Sequence, residues 1–170
     1  MWHELPDGTK VYVRPIRPDD KPLLVEGLRR LSPESVYRRF LSPKRDFSAA
    51  ELRYLTEVDG WDHVALVAFH EDEPDKLAAV ARLVRLHHDP AAAEVAITVG
   101  DHLQGRGLGK LLALRLADLA RERGIRRFEA TILGDNRAAH RLMAAMAKRL
   151  DVEVPGDGSV SLVAELPAAA

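Results

Sequence analysis

Hydrophobic and polar positions switch repeatedly between strand and helix periods along this chain. Residues Thr9 to Ile16 alternate, with Val11 and Val13 set against Tyr12 and Arg14, which predicts a strand behind the Asp7-Gly8 turn. From Asp20 to Leu31 the spacing becomes helical, with Leu23, Leu24, Leu28 and Leu31 on one face. Ser32-Pro33-Glu34-Ser35 opens a second helix, with Ser32 as N-cap and Val36, Tyr37 and Phe40 turned inward. Ser48-Ala49-Ala50-Glu51 has capping-box spacing and starts a short third helix carrying Leu52 and Leu55. Beyond residue 63 the texture is that of a meander. His63–His70, Lys76–Leu86 and Ala92–Val99 read as strands, separated by a charged turn at Glu71–Asp75 and by His87-His88-Asp89-Pro90. A helix follows from about 107 to 123, with Leu108, Leu112, Leu116 and Leu119 in one stripe and Gly124 as its stop. A strand at Phe128–Leu133, a helix from Asn136 to about Arg149, and strands at Val152–Val154 and Val160–Leu166 complete the pattern. The expected class is α+β: a mostly antiparallel sheet of six to seven strands flanked by helices, with one β-α-β element near its middle.

Composition narrows the chemistry. The chain has 170 residues, enough for one ordinary domain, and the expectation is one domain over 1–170 with a loose tail from about 167. There is no cysteine, which removes disulfide scaffolds, thiolate metal cages and cysteine nucleophiles. Lys+Arg is 25 against 26 for Asp+Glu, so no basic excess points to nucleic acid or an anionic membrane. The first residues lack a signal-peptide pattern and no stretch approaches 18 uncharged apolar residues, so a cytoplasmic location is expected.

One segment carries specific chemistry. Gln104-Gly105-Arg106-Gly107-Leu108-Gly109-Lys110 lies between the strand ending at Val99 and the helix starting near 107. Glycines let the backbone approach a ligand and turn successive N–H groups the same way. At a helix start those groups are unpaired and sit at the positive end of the dipole, which suits phosphate. Arg106 and Lys110 add positive charge. The phosphate-loop NTPase pattern fails, because Lys110 is followed by Leu111, and Gly-x-Gly-x-Gly is not the dinucleotide fingerprint.

This segment resembles the GNAT superfamily of acyl-CoA N-acyltransferases, whose Gln/Arg-x-x-Gly-x-Gly/Ala signature is met by Gln104, Gly107 and Gly109. Asn136, Ala139 and Leu142 match that family's later Asn-x-x-Ala-x-x-Leu. The resemblance implies acetyl-CoA as cosubstrate and no metal. It places the coenzyme's pyrophosphate on the backbone of residues 104–110, its pantetheine arm beside Ile97, Thr98 and Val99, and Asn136 at the next strand–helix junction. Three further stretches, Arg14–Asp20, Leu31–Phe40 and Asp62–Ala68, are similar to the catalytic domain of bacterial Pat-type protein lysine acetyltransferases. That similarity implies transfer to a protein lysine. A small amine as acceptor, or a non-catalytic acyl-CoA sensor, are the competing readings.

A lysine amine is about one part in a few thousand neutral at pH 7, so a base is useful. Glu94 is the candidate. Alternation puts Glu94, Ala96 and Thr98 on one strand face, among apolar neighbours that would partly desolvate the acid. The Pat-type resemblance points to the same residue, and Glu129 is the second choice. Many GNAT enzymes place a proton-donating tyrosine where this chain has Met143, which is expected to pack in the core. His87-His88-Asp89 is expected to be a solvated turn, and Arg38-Arg39 a solvated face, with reception of an acidic substrate by Arg38 and Arg39 as the alternative reading. Without a cysteine, direct transfer in a ternary complex is expected.

Overall fold

In the computed structural model, which describes residues 1–168, eight strands form one sheet and five helices cover it. The elements run β1 (Trp2–Glu4), β2 (Lys10–Pro15), α1 (Lys21–Arg30), α2 (Pro33–Phe40), α3 (Ala49–Thr56), β3 (His63–His70), β4 (Glu73–Arg85), β5 (Ala92–Val99), α4 (Leu108–Glu122), β6 (Arg127–Leu133), α5 (Arg137–Met146), β7 (Arg149–Glu153) and β8 (Ser159–Glu165). Strand order is β1-β2-β3-β4-β5-β6-β8-β7, and only β5 and β6 are parallel. That parallel pair and α4 are the β-α-β unit expected from the sequence. The tail expected from about 167 lies partly outside the described residues.

Strand β3 is apolar at almost every position because both of its faces are covered. Ala65, Val67 and Phe69 join Leu24, Leu52 and Leu55 beneath α1 and α3, while Val64, Leu66 and Ala68 join Leu108, Leu112 and Leu116 of α4 on the opposite face. The caps act as the sequence implies. Ser32 Oγ accepts from the Ser35 N–H at 3.1 Å, and Ser48 and Glu51 form a reciprocal capping box. Gly124, at φ +74°, ends the turn after α4.

The sheet has one strand more than the six to seven expected, since Trp2–Glu4 pairs with β2. Strand β4 also starts earlier, at Glu73, so part of the charged stretch read as a turn pairs with His70 across an irregular register. Helix α5 stops at Met146, because Arg149–Glu153 is taken into the sheet beside β8.

The feature that positions the site is where β5 and β6 part. Their pairing covers only Ala92↔Arg127, Ala93↔Phe128 and Glu94↔Glu129, after which β6 continues alongside β8. Beyond Glu94, strand β5 is held by β4 alone.

Candidate active site

Opening the sheet leaves backbone groups of β5 without a strand partner. Gly100 N–H donates to Ala78 C=O at 2.8 Å and Leu86 N–H to Ala92 C=O at 2.9 Å. Antiparallel pairs alternate, so Glu94, Ala96 and Thr98 exchange hydrogen bonds with β4, while Ile97 and Val99 turn theirs toward the gap. The gap is a cleft of about 640 Å³ between β5, β6 and the first turns of α4 and α5. Ile97, Thr98, Val99, Gln104, Gly105, Gly107, Gly109, Lys110 and Asn136 line it, so the structure gathers most of the residues singled out from sequence.

At the loop end the cleft is built from main chain. Gly105 and Gly107 take φ of +77° and +93°, conformations that side-chain-bearing residues rarely adopt. The first helical bond of α4 runs from the Leu111 N–H to the Gly107 C=O, and the N–H groups of residues 105–110 find no acceptor among the described residues. Gly109 is glycine for space: a Cβ there would come within 3.3 Å of Leu142 Cδ1 and 3.6 Å of Val99 Cγ2, closing the wedge between β5 and α5. Unpaired donors at a helix start, with Lys110 beside them, fit a diphosphate. The edge left at Ile97 and at the Val99 N–H, the Val99 C=O being taken by Gln104, fits an extended amide-bearing arm, which can pair with it as a strand would.

Two loop residues contribute differently from expectation. Arg106 turns away from the cleft toward the β1–β2 turn, with Nη1 3.7 Å from Asp7 Oδ2 and 3.5 Å from Thr9 Oγ1. Leu108 buries its side chain completely in the core and offers the cleft only its backbone. Asn136 is the N-cap of α5, its Oδ1 accepting from the Ala139 N–H at 3.1 Å. Gln104 braces the loop: its Nε2 donates to Val99 C=O at 3.1 Å and to Ser35 Oγ at 3.2 Å. Met143 is buried in the core, as expected.

Glu94 stands where the strands part, on the sheet face covered by α1–α3, in register with Glu129 on β6. It is exposed, in contrast to the partial desolvation its apolar neighbours in sequence suggested. Those neighbours are buried because Ala93 and Val95 point to the opposite face, into the α4 side of the core.

Around that face lies a group of side chains that the sequence did not join. Arg39 on α2 is desolvated, which lowers its pKa, with Glu94 as the opposing charge that acts on it. Arg82 on β4 is only 6% exposed; burial, then the charge of Arg39, lower its pKa to about 10. Its Nη1 lies 2.7 Å from His63 Nε2, and its Nη2 donates to Leu55 C=O at 3.2 Å. Burial and the Arg82 charge push His63 down to about 4, so the ring is neutral at pH 7 and accepts the bond. The doublet Arg38-Arg39 therefore splits: Arg38 pairs with Glu34 at 2.8 Å on the helix surface, while Arg39 turns in. Asp101 ties this side to the loop, accepting from Ser32 N–H (2.8 Å), Ser32 Oγ (2.9 Å) and Ser35 Oγ (2.6 Å). Burial opposes its charge, yet these donors hold its carboxyl below the usual range.

Among the described residues no cluster of three or more His, Asp or Glu is placed to hold a metal ion, and no helix is long and apolar enough to cross a membrane. Asp89 of the His87-His88-Asp89 turn is paired with Arg127.

Comparison with known proteins agrees with this geometry. Residues 32–147 match the acetyltransferase (GNAT) family. Acetyltransferase Pat of Mycolicibacterium smegmatis is 41% identical over 136 residues, which are 80% of this chain and 40% of that protein, so the chain spans well under half of that relative. The solved GNAT domain of S. lividans PAT superposes with a TM-score of 0.85 at 35% identity, covering 98% of this chain and 96% of that one. YncA of Salmonella typhimurium, solved with acetyl-CoA, shares the fold at a TM-score of 0.71 and 19% identity, over 94% of each chain. With the parted strands, the glycine cradle and the match over most of its length, this chain belongs to the GNAT family of acetyltransferases and is an acyltransferase.

Proposed function

We propose that the chain moves an acetyl group from acetyl-CoA to a primary amine, a protein lysine side chain, with Glu94 as general base. The observation that carries the reading is the parting of β5 from β6 at Glu94. It leaves a backbone edge without a strand partner, at Ile97 and the Val99 N–H, between the glycine cradle and a carboxylate. The cradle N–H groups at 105–110 and Lys110 hold the diphosphate, and the edge of β5 orients the thioester arm. An exposed Glu94 takes the ammonium proton, directly or through a water, and releases a neutral amine. The amine nitrogen bonds to the thioester carbonyl carbon, loses its second proton to solvent as the C–S bond breaks, and the coenzyme leaves as thiolate. Met143 donates no proton to it, and a thiolate of pKa about 8.5 leaves well enough without one. Transfer is direct, as positioning of both substrates in one cleft favours. Support for a lysine acceptor comes from the similarity to Pat and to the PAT domain.

Thiol release from acetyl-CoA, with lysine peptides and small amines as acceptors, tests this. Glu94→Gln is expected to lower kcat by about 100- to 10,000-fold, with coenzyme A affinity, read by calorimetry, little changed. Full turnover in that variant excludes Glu94 as the base. Mass spectrometry of a lysate incubated with protein and acetyl-CoA identifies the acceptor; products confined to small amines overturn the lysine assignment.

A further inference from the structure

A second cavity, of about 100 Å³, lies between α1, α2, α3 and strands β4 and β5. It meets the cleft at Arg39, Ala96 and Thr98, which line both. Its walls are largely aliphatic and aromatic, with Leu24, Phe40, Leu55 and Leu77 among them. Set into those walls are three arginines. Arg39 makes no hydrogen bond or ion pair among the described residues; its guanidinium lies 4.9 Å from the centre of the Phe40 ring. Arg82 is bonded only to neutral groups, His63 and the Leu55 carbonyl. Arg30 donates through Nη2 to Leu77 C=O at 2.9 Å, but its buried Nε has no hydrogen-bond partner.

The acids nearby do not offset Arg39 and Arg82. Asp101, also in the lining, is occupied by Ser32 and Ser35, while Glu26, 4.0 Å from Arg30 Nε, and Glu73 act on Arg30. Glu94 acts on Arg39 and is the residue assigned to proton removal. Two desolvated guanidiniums, those of Arg39 and Arg82, beside an apolar space are costly without an anion, and Arg30, its side chain 28% exposed, stands at the rim. A guanidinium fork matches a carboxylate in two parallel hydrogen bonds, and an apolar wall favours methylenes. The space has room for several water molecules, which suits a carboxylate on a short stem whose remainder lies in the cleft.

We propose that this arginine-rimmed cavity is a subsite for a carboxylate on a short aliphatic stem carried by one of the two reactants. The inference rests on the acyl-transfer reading of the adjoining cleft. The carboxylate arrives either on the acyl group of a dicarboxylic acyl-CoA or on an acidic side chain next to the acceptor lysine. In the first case the amine bonds to the thioester carbonyl carbon, coenzyme A leaves as thiolate, and the distal carboxylate is unchanged.

Two pairs of kinetic measurements separate the sources. The donor pair compares succinyl-CoA with butyryl-CoA on one lysine peptide. The acceptor pair uses acetyl-CoA with peptides carrying Glu or Gln beside the lysine. One pair is expected to show kcat/KM at least ~10-fold higher for the carboxylate, and Arg39→Gln is expected to bring that ratio close to one. Equal rates within both pairs overturn the proposal, as does a preference that Arg39→Gln leaves intact. Turnover with the neutral reactants reports separately on acyl transfer itself. Binding of free succinate to the coenzyme A complex, followed by calorimetry, needs no turnover. Succinate binding that Arg39→Gln abolishes supports the subsite even if every amine tried is a poor acceptor, and absence of binding counts against it.

Discussion

The two ends of the cleft are made of different material. At the loop end, Gly105, Gly107 and the start of α4 present main-chain N–H groups, with the exposed Lys110 beside them. Where β5 and β6 part, the backbone is paired into the sheet and side chains from α2, β3, β4 and β5 gather: Arg39, which lines the cleft, with His63, Arg82 and Glu94, which lie beside it on the face covered by α1–α3. A backbone site recognises what all its reactants share. A side-chain site recognises what distinguishes them, and it carries charges that burial makes sensitive to their neighbours.

The largest expected effect tests the loop end. Replacing Gly107 and Gly109 together by valine forces side chains onto a φ of +93° and into the 3.3 Å approach to Leu142. Coenzyme A affinity should fall by about 100-fold or more, the equivalent of about 3 kcal/mol. Calorimetry measures the loss, and circular dichroism shows whether the fold persists. A folded double variant with undiminished affinity would mean that the cradle is not where the diphosphate is held.

A smaller effect is expected where the two ends are joined. Asp101 holds the N-terminus of α2 against the segment leading to the cradle, and Gln104 continues the link through Ser35 to Val99. Asp101→Ala removes three hydrogen bonds to an ionised acceptor and should cost about 2 kcal/mol in urea unfolding. Since α2 carries Arg39, acceptor KM should rise severalfold while coenzyme affinity changes little. Equal losses at both substrates would show that the ends are one unit and not two joined ones.

This difference in material also decides what was legible in the sequence. The cradle is local: Gln104, Gly107 and Gly109 stand within six residues, and each glycine answers to a backbone need that no other residue meets as well. The caps at Ser32 and Ser48 are local too, and were readable for the same reason. Arg39, His63, Arg82 and Glu94 come from four elements, and nothing in their spacing links them. Only the register of β3, β4 and β5 puts His63, Arg82 and Glu94 on one face. Arg38 and Arg39 look alike in sequence, yet the turn of α2 sends one to Glu34 and the other inward. Exposure of Glu94 was hidden because its strand neighbours serve the opposite face. Strand β1 was missed because three residues are too few for a period, and its place is set by the partner Lys10–Tyr12.

The smallest expected effect separates the ends by pH. A cradle of amides does not titrate, whereas His63 does. Its folded pKa is about 4, against an ordinary 6.5. Between those values the unfolded chain binds more protons than the folded one, so stability falls as pH drops from 6.5 toward 4 and is complete above 6.5. After allowance for the ring's partial exposure, the loss by pH 4 is on the order of 2 kcal/mol. Asp101, whose pKa is lowered, and Asp20, whose burial is outweighed by hydrogen bonds from Arg14 and Arg17, act in a lower window. Their contribution is full above the ordinary value of 3.8 and is lost as pH falls through their folded values. Between pH 7 and pH 4.5 the slope of the urea midpoint is shared with His3, whose pKa burial and the Arg115 charge also lower, so the His63 share is read as the difference from a variant. His63→Gln keeps an acceptor for Arg82 Nη1 and cannot be protonated, so it should flatten the slope in that interval. An unchanged slope would place the proton-sensitive group elsewhere and remove the contrast between a titrating acceptor side and a silent donor side.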